Sequence, residues 1–98
     1  MVRWTYTSKA DLLQIYNYIS RDSIYYAKKV VNDIVDKSEN LDTFPCMGRK
    51  VEELEDENLR EIVVYSYRMI YRIAENNDIH VLAIVHCKRN LTKDILSK

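Results

Sequence analysis

The sequence predicts an α+β domain of element order β-α-α-β-β-β, with a helix hairpin packed on one face of a small, mainly antiparallel sheet. Three observations carry this reading. Val2 to Thr7 alternates in the period of a half-buried strand, two consecutive stretches ending at Leu41 repeat at helical spacing, and three Val-, Ile- and Tyr-rich runs follow from Leu59 with only short breaks between them.

Val2, Trp4 and Tyr6 alternate with Arg3, Thr5 and Thr7, so the chain opens with a strand. Ser8 followed by Asp11 has the spacing of a capping box, and Leu12, Ile15, Tyr16 and Ile19 then mark a helix from about Lys9 to about Ser20. Arg21, Asp22 and Ser23 form a polar break. Beyond it Ala27, Val30, Val31, Ile34, Ser38 and Leu41 trace one face of a second helix. Pro45 and Gly48, the only proline and the only glycine, end that helix. The acidic run Glu52, Glu53, Glu55, Asp56 and Glu57 reads as a solvated connection. The runs REIVVY, YRMIYRIA and IHVLAIVH then form a meander. Asn76-Asn77-Asp78 suits a tight turn because Asn and Asp tolerate positive φ, and Ser66 marks the turn before it. Ile79 to His86 is almost wholly apolar and should be an interior strand covered on both faces. One helix hairpin covers one face of so small a sheet, which leaves the second to tail residues or another protein.

At 98 residues the chain makes one domain over residues 1–98. Its 47% hydrophobic and 31% charged content is that of a folded domain. Lys plus Arg and Asp plus Glu are both 15, so the summed charge gives no general attraction to nucleic acid or anionic membrane. No stretch has the length of a signal peptide or a membrane span, and the two cysteines, Cys46 and Cys87, are too few for a disulfide framework. Reduced thiols and a cytoplasmic location are the expectation.

Alternation along Tyr67 to Ala74 places Arg68, Ile70 and Arg72 on one sheet face and Met69, Tyr71 and Ile73 on the other. Two guanidinium forks over one surface suit a phosphate or carboxylate, and the same pattern also fits an ordinary solvent-facing strand. His86 and Arg89 would project near Arg68 if the strands pair in that register. His86 is read either as an acid or base or as a structural residue at a strand end. Cys87 and His86 are adjacent and point to opposite faces, which disfavours a thiolate and base pair. No Cys or His spacing suits a metal, no cofactor is called for, and the eight tyrosines read mostly as core with a polar tip.

Taken in order, T-S-K-A-D-L-L-Q-I-Y-N-Y-I, F-P-x-x-G-R-x-V, L-R-E-I, Y-R-M-I-Y-R-I and H-x-x-R resemble the ParE/RelE superfamily of toxins from type II toxin-antitoxin systems, over about Thr5 to Leu91. The resemblance implies the same β-α-α-β-β-β order. It also implies two possible activities. RelE-like members cleave mRNA in the ribosomal A site, whereas ParE-like members poison DNA gyrase without being nucleases, so membership leaves enzyme status open. In the RelE-like members basic sheet residues and a C-terminal tyrosine support attack of the ribose 2′-OH on the adjacent phosphate. Arg68 matches the arginine of the Y-R motif, Arg89 the later one and, loosely, Arg60 the earlier basic position. No tyrosine follows Arg89, and Glu61 brings negative charge where the nucleases are rich in lysine. His86 or Lys93 could stand in.

The long helix hairpin, the F-P-x-x-G-R connection and the neutral charge resemble ParE more than RelE. The resemblance thus implies a toxin of the plasmid stabilisation type that binds and inhibits a target such as DNA gyrase. It implies as well a cognate antitoxin that neutralises the toxin in a hetero-oligomer, with no membrane involved. Arg60, Arg68, Arg72 and Arg89 are the residues expected to bind target or antitoxin. Under the alternative, a ribosome-dependent mRNA endonuclease, Arg68, Arg89 and His86 are catalytic, and Arg68→Ala or Arg89→Ala should abolish cutting with folding intact.

Overall fold

The computed structural model describes residues 1–89. Strand β1 (Val2–Trp4) leads into helix α1 (Tyr6–Ser20) and helix α2 (Ile24–Thr43), followed by a 3-10 turn at Pro45–Met47. The strands β2 (Arg49–Lys50), β3 (Leu59–Val64), β4 (Tyr67–Ile73) and β5 (Ile79–His86) complete one five-stranded sheet in the order β1-β5-β4-β3-β2. Only the β1–β5 pair is parallel, so the sheet is mainly antiparallel as expected. The short β2 was not anticipated.

The first helix starts three residues earlier than the capping-box reading. Thr5, not Ser8, is the cap: its Oγ1 accepts from the Ser8 N–H at 3.2 Å, while the Ser8 hydroxyl donates back to the Thr5 carbonyl at 2.8 Å. Thr5 also ties the helix to β5, its N–H donating to Val81 O and its hydroxyl to Leu82 O. Leu82 is the extra residue of a bulge, since Ile70 faces Ala83 and Tyr71 faces Val81. Ser23 caps α2 by accepting from the Tyr26 N–H at 3.0 Å.

Ile15, Val30, Ile34 and Leu41 of the helices pack on Val64, Met69, Tyr71, Ile79, Val81 and Ile84 of the sheet. This is the main core, in which Tyr71 is wholly buried. The eight tyrosines were expected to lie mostly there, and the structure corrects that: Tyr6, Tyr18, Tyr25, Tyr26 and Tyr65 are exposed because they lie off the buried helix faces or on a hairpin tip. Asn76 and Asn77 adopt positive φ as their chemistry favours. Tyr65 does so at φ 56° without that chemistry, held by an edge contact to Tyr26 and a hydrogen bond to Asp33.

A second correction concerns the acidic run. Val51 and Leu54, 2% and 8% exposed, pack with Leu59, Ile70, Ala83 and Val85 on the face of the sheet away from the helices. Burying each side chain contributes about 1.5–3 kcal/mol, enough to hold the 51–58 segment down as a strap. Its carboxylates sit above the sheet arginines for the same reason. Among the described residues no helix is long and apolar enough to cross a membrane.

Candidate functional site

Antiparallel pairing of β3 with β4 sets Val63 opposite Arg68 and Glu61 opposite Ile70. Glu61, Arg68 and Arg72 therefore share the face away from the helices. The expected arginine pair exists, and carboxylates already occupy it. Arg68 donates from Nε to Glu61 Oε2 at 2.6 Å and from Nη1 and Nη2 to the two Glu53 oxygens at 2.7 and 2.9 Å. Glu61 accepts a further bond from Arg49 Nε at 2.8 Å. Arg68 is 7% exposed and Glu61 3%, so this is a buried ion network. The Glu53 hydrogen bonds, and after them Glu61, hold the Arg68 guanidinium above its ordinary pKa against the opposing effect of burial. Arg72 pairs with Asp56 at 3.0 Å in a more open setting.

The remaining candidates lie elsewhere. Arg60 is on the opposite face, where its Nη1 donates to Gly48 O at 2.9 Å and its buried Nε lacks a partner among the described residues. The β4–β5 register puts His86 opposite Tyr67, with the rings 5.9 Å apart and edge-on, while Val85 faces Arg68. His86 thus points toward the helix side. Its Nδ1 accepts from the Lys88 N–H at 3.1 Å. Arg89 follows on an exposed turn. His86 and Arg89 line a groove of about 530 Å³ with Asp11, Tyr18, Tyr26 and Tyr67. The arginines of the proposed catalytic set, Arg68 and Arg89, are not brought together; Lys93 lies outside the described residues.

Sequence reasoning missed the partners more than the arginines. Glu53 and Asp56 stand 15 and 16 positions from the arginines they bind, and the only available signal was an acidic run preceding a basic strand. Asp11 was read as part of a cap. Instead its Oδ2 accepts from the Ile84 backbone N–H at 3.0 Å and pins α1 to β5. Burial raises the Asp11 pKa, opposed by that hydrogen bond and by Arg89. A carboxyl raised in the folded state favours folding when protonated, and that contribution is lost as pH rises through the folded pKa. Asp11→Asn keeps an acceptor for Ile84 without the buried charge, so its stability should equal or exceed that of the parent at pH 7 and fall below it only in acid. Asp11→Ala should lose about 1–2 kcal/mol at pH 7 by stranding the amide. Urea titrations at pH 3.5 and 7 compare the two.

A family model described as the ParE toxin of type II toxin-antitoxin system, parDE, matches residues 2–91. The chain belongs to this ParE toxin family. Among solved structures, this ParE-family chain is similar to one of the chromosomal ParDE TA system from P. aeruginosa, with 25% identity and a TM-score of 0.70, covering 87% of this chain and 92% of that one. It also shares the fold of a chain in the toxin-antitoxin complex RelBE2 from Mycobacterium tuberculosis, with 21% identity and a TM-score of 0.64, covering 88% and 95%. No curated protein matches the sequence. The structure gives the F-P-x-x-G-R stretch a physical cause. In this ParE chain the Tyr71 hydroxyl donates to Pro45 O at 2.7 Å and accepts from the Gly48 N–H at 2.9 Å, which fixes the turn that delivers Arg49 to Glu61.

Proposed function

We propose that this ParE-family toxin acts in the cytoplasm by binding and obstructing a protein target such as DNA gyrase, without cutting RNA, and that a cognate antitoxin restrains it. The carboxylate cage around Arg68 is the observation that carries this reading. A phosphodiesterase needs donors free to meet charge as it develops on the phosphate. All three nitrogens of Arg68 are committed to Glu53 and Glu61. Inserting a phosphate there would strand the Glu61 carboxylate in a site 3% exposed, at a cost of several kcal/mol. The balanced charge of 15 against 15 supports a protein target over a ribosomal one. Arg72 and Arg89 stay partly or fully exposed and are the basic residues placed to meet a partner.

Purified toxin added to gyrase and supercoiled DNA should trap cleavage complexes, and mRNA from toxin-induced cells should show no codon-dependent cuts. Cuts without trapping would overturn the proposal in favour of the endonuclease with Arg68, Arg89 and His86 at its site.

A further inference from the structure

Beyond the ion network around Arg68, the face of the sheet away from the helices carries a second line of basic side chains. Parallel pairing sets Arg3 of β1 beside His80 of β5, and antiparallel pairing sets His80 beside Arg72 of β4. Tyr71 and Val81, one position along each strand, belong to the core under the helices, so Arg72 and His80 face away from it. Arg3, His80 and Arg72 therefore rise in one row across three strands. With one inter-strand spacing per step, the two arginines stand about 10 Å apart at the backbone, and the imidazole lies between them.

The fold gains little from this arrangement, because cationic side chains lying side by side on a sheet repel one another. Arg72 engages Asp56 through Nη1 at 3.0 Å, and a guanidinium carries five N–H donors. Arg3 is exposed, and neither it nor His80 has a hydrogen bond or ion pair with a described residue. Leu82, partly buried against the Val51 and Leu54 cluster, borders the row.

The chain itself shows what such a surface takes. The 51–58 strap is an acidic segment laid on this face, with Glu53 on Arg68 and, three residues on, Asp56 on Arg72. A nucleic-acid backbone is a poorer fit. Asp56 bounds the row at Arg72, and Asp78 stands two residues before His80, so a continuous run of phosphates would meet carboxylates where one or two acidic side chains would not.

We propose that Arg3, His80 and Arg72 form a docking row for an acidic segment of the target protein, whose carboxylate is held by the Arg3 guanidinium and the His80 ring while an apolar neighbour rests on Leu82. The proposal rests on the reading that this toxin obstructs a protein target.

Binding of the full chain to purified gyrase, measured over a range of salt concentrations, tests it. Arg3→Glu should weaken binding about tenfold or more, chiefly by slowing association, and the loss should shrink as salt rises. His80→Glu places a carboxylate between the two arginines and fills the row from within. It should bind as weakly, while its thermal midpoint stays at or above that of the parent. Arg21→Glu, at the exposed end of α1, should bind as the parent does. Unchanged gyrase binding by both Arg3→Glu and His80→Glu overturns the row and leaves the target reading standing. Failure of the parent chain to bind gyrase overturns both. A parent that binds a DNA or RNA oligonucleotide, with that binding lost in Arg3→Glu and gyrase affinity intact, overturns the acidic segment in favour of a phosphate chain.

Discussion

Replacing Arg68 with alanine is expected to destabilise the fold by about 3–5 kcal/mol, because it leaves a buried carboxylate without its main partner. Glu61, with its side chain 2% exposed, would keep only Arg49, whose own side chain is 68% exposed and so screened by water. Glu53 would also lose both bonds that hold it over β4, which loosens the strap carrying Val51 and Leu54. For a domain of this size the midpoint of thermal unfolding should fall by roughly 12 °C or more. Arg72→Ala provides the contrast. Its pair with Asp56 is 41% and 33% exposed, so that variant should lose less than about 1 kcal/mol. The double variant Glu61→Leu, Arg68→Met replaces the buried pair with apolar volume and should recover most of the loss. Denaturant titration of the three variants decides the matter, and an Arg68→Ala loss below about 1 kcal/mol would show that the network is not structural. The same burial changes how an activity assay on Arg68 is read. Under the nuclease alternative its removal was expected to spare folding, and a side chain this buried makes a loss of toxicity uninformative until the variant's stability is known.

The residues that define helices and strands act locally, which is why the element order was readable from periodicity. Ala27, Val30, Ile34, Ser38 and Leu41 are all buried along α2 as their spacing requires, and Ile79 to Val85 is an interior strand. Strand β2 has two residues, too few to show a period. Val51 and Leu54 were hidden among carboxylates, although their three-residue spacing was the sign that the run had an inner side. Register was the larger gap. A shift of one residue moves every side chain to the other face, and no local signal sets the pairing that puts Val85, not His86, beside Arg68. The alternation along β4 did place Arg68 and Arg72 together. What sequence could not supply was the tertiary packing that brings Glu53 and Asp56 onto them.

Gly48→Ala should be nearly as damaging as the loss of Arg68, and for a reason of space. The backbone at Gly48, φ −77° and ψ 161°, is open to any residue. A Cβ built there meets the Glu61 carbonyl oxygen and the Tyr71 hydroxyl at 2.6 Å each, with Tyr71 Cε1 at 2.8 Å. Neither neighbour can yield cheaply. The Glu61 oxygen belongs to the backbone of β3, and the Tyr71 ring is 0% exposed with its hydroxyl fixed by Pro45 and by Gly48 itself. The added methyl must therefore push β2 away from β3 or displace Tyr71 from the core. Overpacking of about 1–3 kcal/mol, with a lost hydrogen bond of about 1 kcal/mol, gives an expected cost of about 2–4 kcal/mol. Tyr71→Phe removes the hydroxyl that the methyl strikes, so combining it with Gly48→Ala should cost less than the sum of the two by about 1 kcal/mol. A double-mutant cycle measured by chemical denaturation reads this directly, and a loss below about 0.5 kcal/mol for Gly48→Ala would refute the packing. Because the same turn holds Arg49 against Glu61, moving it also weakens the cage around Arg68. Gly48 and Arg68 should therefore couple although one sits in the turn before β2 and the other on β4, and the intervening link is the Glu61 side chain.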